Sequence, residues 1–121
     1  MNWTTVCIVV GIILVFYWLK RRGQISEKDA RTHLKNGALL VDVRTPAEFN
    51  SRHLPDAVNI PLDQIEVTLP RRVKDKNQAI LLHCQSGMRS GIAVKKLKSL
   101  GFANVFNLGS YGRAARIAHQ R

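Results

Sequence analysis

Between residue 38 and residue 108, the chain has four short runs of mostly apolar residues, at residues 38–41, 58–60, 79–82 and 104–108. The runs at residues 38–41 and 79–82 contain no polar residue. Strands that are covered on both faces have this pattern, and a parallel sheet placed between layers of helices supplies such cover. The runs therefore predict buried strands of a parallel sheet.

Helical patterns alternate with these runs. Ser26 followed by Asp29 predicts a capped helix start, and Asn36 with Gly37 predicts its end. The predicted helices cover about residues 26–35, 45–49, 63–73, 90–100 and 113–119. This alternation predicts an α/β fold with a small, mainly parallel, five-stranded sheet and helices on both faces.

The amino-terminal segment has a different pattern. Residues 3–19 carry no charge, and as a helix they would extend about 25 Å, the short end of the membrane-spanning range. Residues 20–22 are all basic, which by the positive-inside rule places the following domain in the cytoplasm. We therefore expect one transmembrane helix with its basic flank at residues 1–22 and a domain at residues 23–121. The predicted location is the bacterial inner membrane, as a single-pass protein with the domain on the cytoplasmic side.

A loop of small and polar residues opens on Cys84, between the predicted strand at 79–82 and the helix that follows it. The first amides of a helix lack intrahelical partners, and the helix dipole adds partial positive charge there. A thiol at such a position has a lowered pKa and reacts as the thiolate. Gly87 permits a tight turn, and Arg89 offers a planar cation to an oxyanion. Cys84 is therefore the candidate nucleophile, although a buried and inert cysteine is the simpler alternative.

The cysteine count, the position of His83 and the net charge limit the kinds of site that the chain can form. The chain has only two cysteines, Cys7 and Cys84, so a disulfide framework is not expected. His83 and Cys84 are adjacent, and neighbouring strand residues point to opposite faces, which argues against a shared metal site. We expect neither a metal nor a cofactor. The net charge of +11 favours anionic partners, but without a nucleic-acid motif or an aromatic stacking set we expect no nucleic acid.

Three separated segments carry a family resemblance. They are residues 40–44 with Glu48 and Phe49, residues 53–61, and residues 84–90. Together they resemble the signatures and the active-site loop of single-domain rhodanese-like sulfurtransferases. Two positions depart from that pattern, because Asp56 and Ser110 stand where the family commonly has glycine.

The resemblance implies a rhodanese-type enzyme that moves sulfane sulfur from a small anionic donor such as thiosulfate, and the predicted amino-terminal helix would anchor this enzyme in the membrane. Cys84 would carry the persulfide. An external thiol, cyanide or a partner protein would accept the sulfur, because residues 23–121 hold no second cysteine. By the same resemblance, the anion cradle would consist of Gln85, Ser86, Gly87, Met88 and Arg89, and structural support would come from Asp42, Arg44 and Glu48.

Two other functions remain open at the level of sequence. Cysteine-dependent phosphatases and arsenate reductases also combine a cysteine loop with an arginine, but they typically have five intervening residues, whereas four separate Cys84 from Arg89. A membrane-tethered binding module could instead keep the fold without the chemistry. Such a module would not need Cys84, Gly87 and Arg89 together.

Overall fold

A four-stranded parallel sheet forms the centre of the computed structural model, which describes residues 2–120 and all of their side chains except those of residues 20–22. The sheet order is β2-β1-β3-β4. The strands are β1 (Leu39–Asp42), β2 (Val58–Asn59), β3 (Ile80–His83) and β4 (Val105–Gly109). The predicted parallel α/β fold is confirmed, but the prediction of five strands is wrong for the described residues.

The missing fifth strand has a local explanation at the outer edge of β4. Gln24 forms a single parallel bridge to Asn107, and the N–H of Ile25 donates to the Asn107 carbonyl at 3.0 Å. The Ser26 side chain then accepts the Asp29 N–H at 3.2 Å, which caps a helix. The chain therefore enters a helix after one bridge, before a strand can extend.

The helices are α1 (Trp3–Arg22), α2 (Glu27–Lys35), α3 (Pro46–Ser51), α4 (Ile65–Arg72), α5 (Met88–Ser99) and α6 (Tyr111–His119). Residues of α2 and α6 enter the core on one face of the sheet, and residues of α4 and α5 enter the core on the other face. Ile65 and Leu97 pack with Leu82 on one face, and Ala30 and Ile117 pack within the core that contains Leu81 on the other. Alternate residues of β3 thus enter opposite cores, as the uninterrupted apolar run predicted.

The prediction of a transmembrane helix is wrong. Within the described part of the chain, no helix combines the length and the apolar character needed to cross a membrane. The predicted inner-membrane location, its orientation and the membrane partner are withdrawn for the same reason. The side chains of the basic flank at residues 20–22 lie outside the description.

The carboxyl ends of the parallel strands meet at one edge of the sheet. Asp42 at the end of β1 pairs with His83 at the end of β3, and His83 pairs with Gly109 at the end of β4. The register shifts between Leu82 and His83, and the ladder then continues with the Cys84 N–H donating to the Gly109 carbonyl at 3.2 Å. The loop that opens on Cys84 therefore follows an inner strand and lies between the loops after β1 and β4.

Candidate active site

The sulfur of Cys84 lies among hydrogen-bond donors at the start of α5. The N–H of Gly87 donates to Cys84 Sγ at 3.0 Å, and the Ser90 hydroxyl lies 3.5 Å from the same sulfur. The Cys84 side chain is buried. The structure thus places the Gly87 N–H against Cys84 Sγ and adds Ser90, which the sequence analysis did not include among the site residues.

These donors act on the ionisation of the thiol. Burial alone would raise the pKa of Cys84. The Ser90 hydroxyl and the N–H groups of Ser90, Gly87 and Ser86 favour the thiolate more strongly, so the pKa lies below its ordinary value. The surroundings of Cys84 therefore shift its ionisation toward the thiolate, which is the nucleophilic form of the side chain.

Gly87 permits this geometry through its backbone conformation. Its φ of +94° lies in the left-handed region, where side chains with a Cβ are strained. A Cβ at this position would also meet Gln24 Nε2 at 3.1 Å and the Gly109 backbone at 3.4 Å. Glycine at residue 87 thus lets the loop turn its N–H toward the sulfur while it packs against β4.

Asn107 connects the donors of the thiolate from beneath the loop. Its Oδ1 accepts the Ser90 hydroxyl at 2.7 Å and the Gly109 N–H at 2.9 Å, and its Nδ2 donates to the Gly87 carbonyl at 3.0 Å. Asn107 is buried. The sequence analysis missed this role, although a polar residue within the apolar run at 104–108 was a usable signal, since a buried amide needs partners.

Arg89 does not point its hydrogen-bonding groups at the sulfur. Its Nη1 and Nη2 bind the two carboxylate oxygens of Glu48 at 2.7 and 3.1 Å. This ion pair, with the Thr45 N–H, lowers the pKa of Glu48 to about 2. Of the other predicted cradle residues, Gln85, Ser86 and Met88 have exposed side chains, so the loop presents backbone donors to the sulfur.

Asp42 and Arg44 form a buried ion pair behind the same loop. Arg44 Nε and Nη2 donate to the Asp42 carboxylate at 3.0 and 2.8 Å. Arg44 Nη1 lies 3.5 Å from Gln85 Oε1, and Nη2 also donates to the Arg52 carbonyl at 2.6 Å. The pair therefore joins the end of β1 to the Cys84 loop and to the segment after α3, the kind of contact expected of structural supports.

The fold and the Cys84 loop together define the family. Residues 26–112 match the family model described as the rhodanese-like domain, which is well over half of the chain. The chain belongs to the rhodanese-like domain family.

Relatives within the family include named enzymes. The chain is 35% identical over 69 residues to thiosulfate sulfurtransferase PspE of Escherichia coli K12, a match that covers 57% of this chain and 66% of PspE, just under two thirds. It is 33% identical to thiosulfate sulfurtransferase GlpE of Pseudomonas syringae, covering 70% of this chain and 78% of GlpE. Both names agree with the expectation of a rhodanese-type sulfurtransferase.

A solved structure has the same architecture. It is described as a rhodanese with anions from E. coli, has a TM-score of 0.61 and 31% sequence identity, and the match covers 64% of this chain and 91% of that one.

Proposed function

We propose that this chain is a rhodanese-type sulfurtransferase that moves sulfane sulfur from a donor such as thiosulfate to a thiophilic acceptor through a persulfide on Cys84. The observation that carries the proposal is the contact between the Gly87 N–H and Cys84 Sγ at 3.0 Å, in a loop that lowers the pKa of the thiol. The similarity to two named thiosulfate sulfurtransferases supports the same activity. We assign it to residues 23–121 as the domain.

In the first half-reaction, the Cys84 thiolate attacks the outer sulfur of thiosulfate. A bond forms between Cys84 Sγ and that sulfur, and the sulfur–sulfur bond of thiosulfate breaks. Its electron pair leaves with sulfite, and the charge of the thiolate passes to the terminal sulfur of the new persulfide. We assign the stabilisation of this charge to the amides of the loop and the Ser90 hydroxyl, which already favour an anion at Cys84.

The persulfide anion then takes up one proton from solvent, and in the second half-reaction an external thiolate attacks its terminal sulfur. A new sulfur–sulfur bond forms, and the bond to Cys84 Sγ breaks with its electrons remaining on Cys84. The proton stays on the transferred sulfur, so the step needs no oxidant or reductant. Because residues 23–121 contain no second cysteine, we assign the acceptor to another molecule: a thiol, cyanide or a protein.

The position of Arg89 favours sulfur transfer over phosphate chemistry. A phosphatase of the cysteine–arginine type requires the guanidinium to hold the phosphoryl oxygens, but Arg89 places two nitrogens on Glu48. The N–H groups around Cys84 provide a small anion cradle that does not depend on this guanidinium. A non-catalytic binding module would have no use for that cradle.

The test is intact-protein mass spectrometry of the full chain before and after incubation with thiosulfate. The wild type is compared with Cys84→Ser and with Cys7→Ser, which removes the other cysteine. We expect the wild type and Cys7→Ser to gain one sulfur atom and to lose it again on addition of cyanide, whereas Cys84→Ser gains none.

Two outcomes would overturn the proposal. One is no sulfur gain in the wild type although Cys84 is reduced and alkylatable. The other is equal gain in Cys84→Ser, which would place the sulfur elsewhere. Hydrolysis of an aryl phosphate that depends on Cys84 would instead favour the phosphatase hypothesis.

A further inference from the structure

A cleft of about 490 Å³ adjoins the Cys84 loop on the side of α3. Gln85, the residue after Cys84, forms part of its wall, and the charged side chains along it are Arg44, Glu48 and Arg52. The Tyr111 ring also lines it. The cleft is large for thiosulfate alone and lies where a second reactant can approach the loop.

Most of the charge along this cleft is already neutralised. The Arg44 guanidinium binds the buried Asp42 carboxylate, and the Glu48 carboxylate binds Arg89. Arg52 makes no ion pair with any residue that the structure describes between positions 2 and 120. The cleft therefore has a net positive charge that comes from Arg52.

The Arg52 guanidinium is nevertheless held in place. Its central carbon lies 4.6 Å from the centroid of the Tyr111 ring, and that of Arg44 lies 4.7 Å from the same centroid. Tyr111 is itself fixed, since its N–H donates to the Gln85 carbonyl at 3.3 Å. Arg44 Nη2 binds the Arg52 carbonyl at 2.6 Å, so both the backbone and the side chain of Arg52 have fixed contacts.

We propose that Arg52 and this cleft form a subsite for the carboxylate of an anionic thiol acceptor. The inference rests on the proposed function and names the class of its second substrate. After the first half-reaction, the persulfide uses the amides around Cys84, so a negatively charged acceptor needs a separate cation. Arg52 supplies this cation with donors that match a carboxylate, while its contact with Tyr111 limits the rotamer entropy lost on binding.

The test compares two acceptors that differ mainly in charge, mercaptopropionate and mercaptoethanol. The full chain is loaded with sulfur from thiosulfate, freed of donor, and discharged by each thiol while its mass is followed. The readout is the ratio of the two second-order rate constants, which cancels general changes in reactivity. We expect Arg52→Gln to lower the ratio for mercaptopropionate over mercaptoethanol by about fivefold and Arg52→Lys to retain most of it.

Arg71→Gln is the matched control, because it removes the same charge from the last turn of α4, outside the lining of this cleft. A lower ratio in Arg52→Gln but not in Arg71→Gln supports the subsite. An equally lowered ratio in both variants would mean that the preference comes from the overall charge of the protein, and this would overturn the subsite. A ratio that is unchanged in fully loaded Arg52→Gln also overturns it.

A second measurement covers the case in which Arg52→Gln does not fold. In the wild type, raising the ionic strength from about 0.01 M to about 1 M should lower the ratio, because salt screens an exposed charge. A ratio that does not respond to salt overturns the subsite. Failure of the wild type to load sulfur at all would instead reject the proposed function, so the two failures are distinguishable.

Discussion

The hydroxyl oxygen of Ser90 lies 2.7 Å from Asn107 Oδ1. It also lies 3.5 Å from Cys84 Sγ, and a serine hydroxyl has only one proton to donate. The amide oxygen and the sulfur therefore compete for that proton. Ionisation of Cys84 shifts the competition toward the sulfur, because a hydrogen bond to an ionised acceptor is stronger than one to a neutral acceptor.

Ser90→Ala should raise the pKa of Cys84, because it removes the largest single contribution that favours the thiolate. We expect the pH midpoint of alkylation by iodoacetamide to move upward and the rate of sulfur loading at neutral pH to fall about tenfold. Ser99→Ala is the control, since its hydroxyl bonds only an exposed helix carbonyl, that of Lys95. An unchanged alkylation profile in Ser90→Ala would contradict this account of the thiolate.

Asn107→Asp should weaken both the fold and the site while preserving shape. It replaces the donor to the Gly87 carbonyl with an oxygen and adds a negative charge near Cys84. We expect a loss of about 1–3 kcal/mol in the free energy of unfolding and an upward shift of the Cys84 pKa. Urea denaturation and the alkylation profile measure the two effects. Asn104→Asp makes the same exchange at an exposed contact with the Asn77 carbonyl and should leave the alkylation profile in place.

Gly87→Ala should destabilise the protein more than the corresponding change at Gly37. Both residues have a positive φ, +94° and +88°, so each alanine pays about 1–2 kcal/mol of backbone strain. Only at residue 87 does the added Cβ also press on Gln24 and the Gly109 backbone. Comparing the thermal unfolding midpoints of the two variants isolates the effect of this contact. Equal decreases in the two midpoints would mean that the loop rearranges around the added Cβ at no cost in stability. The rate of sulfur loading should fall only in Gly87→Ala.

His83 should make stability dependent on pH near neutrality. Burial lowers the pKa of His83, and Arg44 lowers it further. The Asp42 carboxylate, whose Oδ2 lies 3.8 Å from His83 Nε2, raises the pKa, but the effect of burial is larger. Because histidine in the unfolded state has a pKa of about 6.5, the unfolded state binds more protons than the folded state when the pH falls below that value. We expect stability to fall below about pH 6.5, by up to about 1.4 kcal/mol per pH unit.

Urea titrations between about pH 5.5 and pH 7.5 measure this dependence, a window chosen around the ordinary histidine pKa. The slope should disappear in His83→Gln and persist in His119→Gln, which changes an exposed histidine at the end of α6. If His83→Gln retains the slope, another group is responsible.

Local signals in the sequence were sufficient for most of the fold. Short runs of mostly apolar residues predicted all four strands of the observed sheet, and Ser26 marked the start of α2. The loop that begins at Cys84 was predicted between a strand and a helix because glycine, hydroxyl and arginine residues follow the cysteine at short spacing. These features depend on interactions between residues that are close together in the chain, so they can be recognised from the sequence alone.

Features that depend on distant contacts or on length were less predictable. The hydropathy of residues 3–19 indicated a membrane span, whereas no helix among the described residues combines the length and the apolar character that a span requires. The pairing of Arg89 with Glu48 joins residues 41 positions apart, and that of Ser90 with Asn107 joins residues 17 apart. Asp56 is informative in another way, because its positive φ of 68° lies at a position where the family that the chain resembles commonly has glycine.

In the loop after Cys84, backbone N–H groups face the sulfur, whereas several side chains of the same loop are exposed to solvent and are available to contact other molecules. The side chains of Gln85, Ser86 and Met88 are exposed, whereas their segment contributes N–H groups to the sulfur. Substitutions at these three positions can therefore reshape the mouth of the site without removing a donor. A library randomised at residues 85, 86 and 88 is thus a direct test of whether acceptor preference can change while the proposed persulfide step is retained.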